Sequence, residues 1–378
     1  METENTFNHH LTALQWDDIS LSINSKTSRD VERALSSRKI NRDDFMALIS
    51  PAAAPYLEAL VQRANQLTRQ RFGNVVSFYV PLYLSNLCAN DCTYCGFSMS
   101  NRIKRKTLDA REITQECEAI KAMGFQHLLL VTGEHQSRVG MNYFRQHLPL
   151  IRPHFSSLMM EVQPLAEEEY AELKPLGLDG VLVYQETYHP ATYQRHHLRG
   201  NKQDFAWRLA TPDRLGRAEI NKIGLGVLLG LSDNWRTDSY MLAEHLHYLQ
   251  RTYWQCQYSV SFPRLRPCAG GVEPASNIDE AQLLQLICAF RLFAPDIELS
   301  LSTRESPHFR DHVIPLVINS VSAGSKTQPG GYTEEAASEL EQFAPHDDRT
   351  PIEVATALHR AGLQPVWKDW DTFLGRSG

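Results

Sequence analysis

The amino-acid sequence predicts a (β/α)8 TIM-type barrel with a helical N-terminal extension and a C-terminal tail. Eight short β-rich runs alternate with helical segments, and eight βα units within roughly 250 residues are what such a barrel requires. The composition, 42% hydrophobic and 22% charged, is ordinary for a globular protein. A doubly wound open sheet has the same periodicity and stays open as an alternative. The predicted strands are 75–80, 127–131, 158–162, 180–184, 225–229, 257–261, 297–301 and 316–320.

These elements divide the chain into a helical N-terminal extension (1–73), the barrel (74–324) and a helical tail that closes it (325–378). In the extension, residues 51–71 carry apolar positions at helical spacing. The first barrel helix has clear ends, because Asp109 and Glu112 form a capping-box pattern and Gly124 lies where a C-terminal glycine is favoured. In the tail, 333–343 and 351–361 are predicted helices.

Charge and cysteine content exclude several classes of function. The formal net charge of -6 argues against nucleic acid as a partner, since phosphates are normally met by a basic surface. No apolar stretch approaches the ~20 residues that cross a membrane, and the polar start shows no secretory signal, so a cytoplasmic protein without a membrane partner is expected. Seven cysteines in a chain of this length form no disulfide framework, so clustered ones point to metal ligation.

The strongest functional signal is Cys88-x-x-x-Cys92-x-x-Cys95, directly after the first predicted strand. Three thiolates at this spacing can hold three corners of a 4Fe-4S cubane and leave the fourth iron without a protein ligand. The amino and carboxylate groups of S-adenosylmethionine (SAM) can chelate such an open iron, which places its sulfonium where it can accept an electron. The alternatives are chance or structural zinc, but structural zinc normally takes four ligands, and neither Cys117 nor Cys256 lies close in sequence.

The cysteine loop resembles that of the radical S-adenosylmethionine superfamily, because Tyr94 before the last cysteine and Gly96-Phe97 after it also match. The resemblance implies one 4Fe-4S cluster per chain, SAM as the second cofactor, and a position for Tyr94 near the adenine. The motif that contains Gly133 and Glu134, after the second strand, is similar to the superfamily's Gly-Glu motif, whose backbone meets the methionine amino group.

Further candidates follow the other predicted strands, at the end where barrel enzymes place their chemistry. Glu161 and Gln163 are similar to superfamily positions that bind the ribose or amino acid part of SAM. Arg199 and Arg214 are candidates to neutralise the SAM carboxylate. For the arginines that follow the sixth and seventh strands, Arg264 and Arg304, the alternative is an ordinary salt bridge at the rim.

The linked motifs resemble the aromatic amino acid lyase branch of the superfamily from about 74 to 332. They are Cys88-Ala-Asn-Asp-Cys92-Thr-Tyr-Cys95-Gly-Phe, Gln185-Glu-Thr-Tyr-His, Gly224-x-Gly-Val-Leu-x-Gly-Leu and Leu301-Ser-Thr-Arg304-Glu. The resemblance implies that L-tyrosine is cleaved at Cα-Cβ to 4-cresol and dehydroglycine for the thiazole of thiamine. A buried arginine needs an anionic partner, so Arg304 is the candidate for the tyrosine carboxylate. Further substrate candidates are Tyr188, Ser302 and Arg264.

Several alternatives bear on the substrate and the partners. A tyrosine lyase that matures iron-only hydrogenase carries a second cluster on a C-terminal cysteine motif, and no cysteine follows Cys288 here. A tryptophan lyase, a radical enzyme for a flavin or quinone precursor, and a non-catalytic zinc or iron-sulfur module stay open. The resemblance also implies hand-over of the imine to a thiazole synthase subunit and a flavodoxin or ferredoxin as electron donor.

Overall fold

The computed structural model describes residues 6–333 and 341–368 and contains a closed barrel of eight parallel strands. Each barrel strand pairs in parallel with the next, and the last pairs with the first over Ser77–Tyr79 and Ser320–Ser322. Closure confirms the predicted barrel and excludes the open sheet. The strands of the described part are β1 (Val75–Ser85), β2 (Asp91–Cys92), β3 (His127–Thr132), β4 (Ser157–Glu161), β5 (Gly180–Leu182), β6 (His197–Arg199), β7 (Lys222–Gly226), β8 (Gln257–Ser261), β9 (Glu298–Leu301), β10 (Ser320–Ser322) and β11 (Gln364–Val366).

Two predicted strands are displaced in the structure. The run predicted at 316–320 is wrong, because its first residues end a helix and β10 begins only at Ser320. Val317 is buried on that helix, and a short apolar run has no periodicity that separates a strand from a buried helix turn. The run predicted at 225–229 overlaps β7 only at its start, although Val227 and Leu229 continue as isolated bridges to neighbouring segments.

The helices surround the barrel and cover its outer surface. None of those in the described part has the length and apolarity that crossing a membrane requires. The capping box predicted at Asp109 and Glu112 is confirmed, and Gly124 follows that helix with a φ of +96°. The helices are α1 (Phe7–Thr12), α2 (Trp16–Asn24), α3 (Ser28–Ser36), α4 (Arg42–Ile49), α5 (Leu57–Phe72), α6 (Ala110–Ala122), α7 (Met141–Ile151), α8 (Glu167–Leu173), α9 (Pro190–His196), α10 (Phe205–Leu209), α11 (Thr211–Arg217), α12 (Trp235–Thr252), α13 (Glu280–Phe293), α14 (Pro307–Val317) and α15 (Pro351–Arg360).

The C-terminal segment joins the barrel at both of its ends. β11 pairs with Val75–Ser77 of β1 and extends the sheet at the amino-terminal side. The predicted helix at 351–361 is confirmed as α15, whereas most of the one predicted at 333–343 lies outside the described residues. Gln342 and Phe343, which are described and not helical, line the opposite, carboxyl-terminal mouth. The three-part division of the chain stays a prediction.

A buried ion pair ties this segment to the barrel. Arg310 on α14 pairs with Asp347, and both side chains are 0% exposed. Arg349 also donates to Asp347, at 2.8 Å, and to Asp311, at 2.9 Å. The Asp347 carboxylate therefore pairs with two guanidinium groups, those of Arg310 and Arg349, where the C-terminal segment crosses the barrel.

Asp347→Ala should destabilise the fold strongly, because Arg310 would remain buried without its counter-charge. We expect the free energy of unfolding to fall by about 3–5 kcal/mol in a denaturant titration. The matched control is Asp311→Asn, which removes a 40% exposed partner and should cost less than about 1 kcal/mol. Equal losses of unfolding free energy in the two variants would show that the buried ion pair contributes no more to stability than the exposed one.

Candidate active site at the barrel mouth

The cysteine loop leaves the end of β1 and is braced on two sides. Arg105 donates to the backbone carbonyls of Asn86 and Phe97 at 2.7 Å each, which fixes the loop from within. On the other side, β2 inside the loop pairs antiparallel with β6. Gly133 packs beneath, since an added Cβ there would lie only 2.4 Å from the carbonyl oxygen of Leu87. The cysteines are therefore positioned by backbone contacts rather than by one another.

Cys88, Cys92 and Cys95 line one cavity at the mouth, which we call the upper cavity. Burial raises the pKa of the Cys88 thiol to about 11 and also raises the pKa of the Cys92 and Cys95 thiols. Their thiolates thus need compensating positive charge, which bound iron supplies. The backbone N–H of Asn90 donates to the Cys88 sulfur at 3.4 Å, and Gln342 donates to the Cys95 sulfur at 3.7 Å. Such hydrogen bonds are typical of cluster ligands, so the residues fit an iron-sulfur cluster.

The same geometry bears on the zinc alternative. Within residues 6–333 and 341–368, no three His, Cys, Asp or Glu side chains are close enough together to hold one metal ion. A structural zinc site needs its ligands about 2.0–2.3 Å from one ion, whereas a cubane takes each thiolate on a different iron. Three cysteines in one loop suit a cubane, which takes one thiolate on each of three irons, better than a closed zinc site with four ligands.

Beside the cysteines, the upper cavity carries a network of paired charges. Arg208 donates to Glu134 at 3.0 Å, and Lys202 donates to Glu186 at 2.8 Å. Burial alone would raise the pKa of the Glu134 carboxyl, but the positive charges of Arg208 and Lys202 hold that pKa below its ordinary value. Asn90 also donates to Glu134, at 2.8 Å. The Glu134 carboxylate is thus held ionised and fixed in place beside the cysteine loop.

Glu186 adopts a strained backbone conformation, with a φ of +71°. Residues other than glycine rarely adopt this left-handed backbone conformation, and such strain is concentrated at functional sites. Glu186 lies in the motif Gln185-Glu-Thr-Tyr-His, which follows β5, and its carboxylate faces Lys202 and Arg208. The backbone strain is therefore localised at the wall of the upper cavity.

A second cavity continues into the barrel, and we call it the lower cavity. It shares Glu161, Tyr184 and Arg304 with the upper one, so the two adjoin. The Arg304 guanidinium lies 3.6 Å from the centre of the Phe343 ring, and it makes no ion pair with a described residue. A guanidinium at the junction of two cavities, stacked on an aromatic face and without a carboxylate, is suited to receive an anionic ligand.

Glu161 also lies at the junction of the two cavities. Burial raises its carboxyl pKa to about 7, and the nearby negative charge of Glu186 adds to the rise. Arg304, Lys202 and Arg208 oppose it only in part. The Glu161 carboxyl is consequently protonated in an appreciable fraction of molecules near neutral pH.

Glu161 should therefore make stability depend on pH. Its pKa is higher in the folded protein than the ordinary value of 4.5, so the stabilisation is complete below pH 4.5 and is lost as the pH rises through about 7. We expect Glu161→Gln, measured by urea unfolding before cluster reconstitution, to remove this part of the pH dependence. An unchanged difference between pH 5 and pH 8 in the variant would contradict the assignment.

Comparison with known proteins identifies the family. The Radical SAM superfamily matches residues 82–243, and the Biotin and Thiamin Synthesis associated domain matches residues 261–364. The chain is 74% identical over 372 residues to 2-iminoacetate synthase of Escherichia coli strain K12, covering 98% of each chain. The chain belongs to the 2-iminoacetate synthase family.

Further relatives agree with this family. The 2-iminoacetate synthase of Salmonella typhimurium strain LT2 is 72% identical, again over 98% of both chains. The crystal structure of HydG, a maturase of the [FeFe]-hydrogenase, superposes with a TM-score of 0.88 at 29% identity and covers 96% of this chain and 82% of that one. The predicted lyase class and the predicted cofactors, a 4Fe-4S cluster and SAM, are confirmed for this 2-iminoacetate synthase family member. The predicted cleavage of L-tyrosine to 2-iminoacetate agrees with the family.

Several residues predicted for cofactor binding line the upper cavity of this 2-iminoacetate synthase family member. They include Tyr94, whose hydroxyl lies 2.7 Å from Nε2 of His197, together with Gly133, Glu134 and Glu161. Gln163 lies behind this wall, because it is 3% exposed and its side-chain nitrogen donates to Val139. The specific contacts of these residues with SAM stay predictions.

The two arginines predicted for the SAM carboxylate do not reach the cavity. Arg199 is exposed on β6, on the outer side of the cysteine loop. Arg214 is buried in α11, where it donates to the carbonyl of Leu165 and stacks 3.6 Å over the ring of Trp207. Both arginines therefore lie outside the upper cavity, and their predicted role stays a prediction, because spacing along the chain does not reveal which way an arginine points.

Among the substrate candidates, Arg304 and Ser302 line the lower cavity. Tyr188 does not, because it is 2% exposed and its hydroxyl contacts Nδ1 of His245 at 2.8 Å. Arg264 does not line either cavity, since it pairs with Glu305 and donates to the Ile278 carbonyl at 2.8 Å. Tyr188 and Arg264 therefore lie outside the two cavities, and their predicted contact with the substrate stays a prediction.

Sequence reasoning missed the cations that do line the upper cavity. Lys202 and Arg208 come from the connection between β5 and β7, which crosses the mouth. Arg266 follows β8, two residues beyond the arginine that was predicted, and its Nε is buried without a hydrogen-bond partner in the described part. The motif Gln185-Glu-Thr-Tyr-His at the start of this connection was the available signal of a site. It does not indicate which later residues of the connection fold back to line the cavity.

Proposed function

We propose that the upper cavity binds the cluster and SAM, that the lower cavity binds L-tyrosine, and that the chain cleaves the Cα-Cβ bond of tyrosine to give 2-iminoacetate and 4-cresol for the thiazole of thiamine. The observation that carries this proposal is that one cavity lined by three cysteines adjoins a second one at Arg304. A cluster held by Cys88, Cys92 and Cys95 would supply the electron that cleaves SAM reductively, and this would start the abstraction of a hydrogen atom from the tyrosine amino group.

The residues of the upper cavity orient the cofactors. Cys88, Cys92 and Cys95 would each hold one iron of the cluster, and the remaining iron would be available to the amino and carboxylate groups of SAM. Glu134 lies beside the cysteine loop with its carboxylate fixed by Arg208, which suits it to an ammonium group. Lys202 offsets the negative charge of the thiolates, because it lies close enough to favour ionisation of Cys92 and Cys95.

Arg304 holds the tyrosine carboxylate at the junction of the cavities. Its guanidinium can donate two parallel hydrogen bonds to a carboxylate, which fixes both the position and the orientation of the amino acid. Fixed orientation matters because the hydrogen atom must be abstracted from the amino group and not from another position of the amino acid. Gln342 and Phe343 cover this point from the C-terminal segment and limit the access of water.

We also propose a cytoplasmic location, an electron donor of the flavodoxin or ferredoxin type, and delivery of the product to a thiazole synthase subunit. The imine hydrolyses readily in water, so a direct transfer preserves it. The match of residues 261–364 to a domain associated with biotin and thiamin synthesis supports this destination. None of the seven cysteines, all of which lie in the described part of the chain, forms a disulfide, which fits a reducing compartment.

The test is an anaerobic assay of the reconstituted protein with reductant, SAM and L-tyrosine. We expect 4-cresol and 5′-deoxyadenosine in equal amounts, with 2-iminoacetate recovered as its hydrolysis product. A parallel reaction with L-tryptophan tests the alternative substrate. Consumption of tryptophan without any formation of 4-cresol from tyrosine would overturn the proposal.

A further inference from the structure

Three consecutive barrel strands carry the pattern Ser-x-Ser: Ser259-Val-Ser261, Ser300-Leu-Ser302 and Ser320-Val-Ser322. Alternate residues of a strand face the same side, and the interior of such a barrel is normally filled by valine, isoleucine and leucine. The upper member of each pair, Ser261, Ser302 or Ser322, lines the lower cavity, and so does Ser300. Small hydroxyl side chains thus replace bulky ones along one side of the barrel, next to the proposed substrate site.

These hydroxyls form part of a wall that has unused hydrogen-bonding capacity. Tyr79 closes its base, because its ring lines both the lower cavity and a separate cavity at the amino-terminal end of the barrel. Its hydroxyl lies 3.2 Å from Oγ of Ser300. Ser325, above β10, is 8% exposed, and its Oγ is buried without a hydrogen-bond partner in the described part of the chain. We call Tyr79, Ser261, Ser300, Ser302, Ser322 and Ser325 the hydroxyl wall.

Apolar side chains line the lower cavity on the β3 side. Leu129 and Val131 on β3 line it together with the ring of Tyr184. Behind them, Met159 and Leu182 complete a packed apolar cluster. β3 lies across the barrel from β8, so Leu129 and Val131 face Ser261 of the hydroxyl wall, and Glu161 of the neighbouring strand β4 also lines the cavity. A cavity with one apolar side and one hydroxyl side matches an aromatic ring that carries a polar tip.

We propose that the hydroxyl wall receives the para-hydroxyl of L-tyrosine and thereby selects tyrosine over phenylalanine and tryptophan. The inference rests on the proposed function, in which Arg304 holds the carboxylate at the mouth end. Ser300 lies four residues before Arg304 towards the amino end of β9, so a ring extending from the carboxylate into the barrel points at this wall. A phenylalanine in the same place would leave the buried Ser325 hydroxyl without a partner, and an unpaired buried polar group is a strong basis for discrimination between such substrates.

The test measures binding without turnover. Protein reconstituted with its cluster is dialysed against L-tyrosine or L-phenylalanine in the presence of SAM and without reductant. We expect tyrosine to bind about tenfold or more tightly than phenylalanine. In Tyr79→Phe and in Ser325→Ala, the Kd of tyrosine should rise about tenfold, whereas that of phenylalanine should change less than twofold.

Ser320→Ala is the matched control, because this serine lies on the same strand as Ser322 but faces the amino-terminal cavity. It should leave both Kd values within twofold of wild type. Equal binding of the two amino acids by the wild-type protein, or equal weakening of both by Tyr79→Phe and Ser325→Ala, would overturn the selectivity while leaving tyrosine cleavage intact. If wild-type protein neither binds nor cleaves tyrosine, the proposed function fails as well.

Discussion

Replacing any one of Cys88, Cys92 and Cys95 by alanine should lower the rate of 4-cresol formation by at least about a thousandfold. Two remaining thiolates would leave two irons of the cubane without protein ligands, and a cluster held in this way is lost or cannot present one defined iron to SAM. The readouts are the rate of 4-cresol formation and the iron and sulfide content after anaerobic reconstitution.

Cys256→Ala is the control for this series. Cys256 is buried near the amino-terminal end of the barrel, away from the upper cavity. The Cys256→Ala protein should retain about four irons per chain and nearly full activity. Retention of the cluster and of undiminished turnover in the Cys92→Ala protein would show that this cysteine is not a ligand.

Arg304→Ala should reduce kcat/KM for L-tyrosine by about a hundredfold to a thousandfold. The loss corresponds to about 3–4 kcal/mol, as expected when one partner of a desolvated ion pair is removed. Arg304→Lys should recover only part of it, because an ammonium cannot match a carboxylate with two parallel hydrogen bonds. Steady-state kinetics of 5′-deoxyadenosine and 4-cresol formation provide the measurement.

Tyramine separates recognition of the carboxylate from a structural effect of Arg304, since it is tyrosine without the carboxylate. Without reductant, Arg304→Ala should weaken the binding of tyrosine and leave that of tyramine nearly unchanged. Arg199→Ala is the matched control and should change neither, because Arg199 is exposed outside the cavity. Equal losses for tyrosine and tyramine would mean that Arg304 acts through packing on Phe343.

Local patterns in the sequence predicted the barrel and the cysteine cluster. Alternating β-rich and helical runs reflect periodicity within each element, and the spacing of Cys88, Cys92 and Cys95 lies inside one loop, so neither needs knowledge of distant contacts. Of the two displaced strands, the one predicted at 316–320 fails because an apolar helix end precedes the strand.

The role of each arginine could not be predicted in this way. Arg264 and Arg304 both follow barrel strands, but Arg264 is neutralised by Glu305, which comes 41 residues later in the chain. Lys202 and Arg208 reach the cavity only because their connection folds across the mouth. Ion pairing between distant segments depends on tertiary structure, which spacing does not encode.

The serines of the lower cavity show the same limit. The three Ser-x-Ser patterns are visible in the sequence, but an alternating pattern does not say which face of a strand points into the barrel. Only the closed sheet shows that the upper member of each pair lines the substrate side.

Binding of SAM to an open iron is tested most directly by electron-nuclear double resonance of the reduced wild-type protein with SAM labelled with 15N at its amino group. A cluster held by three cysteines predicts a hyperfine coupling between the label and the cluster. A spectrum without such coupling, from protein that contains the intact cluster and bound SAM, would contradict it.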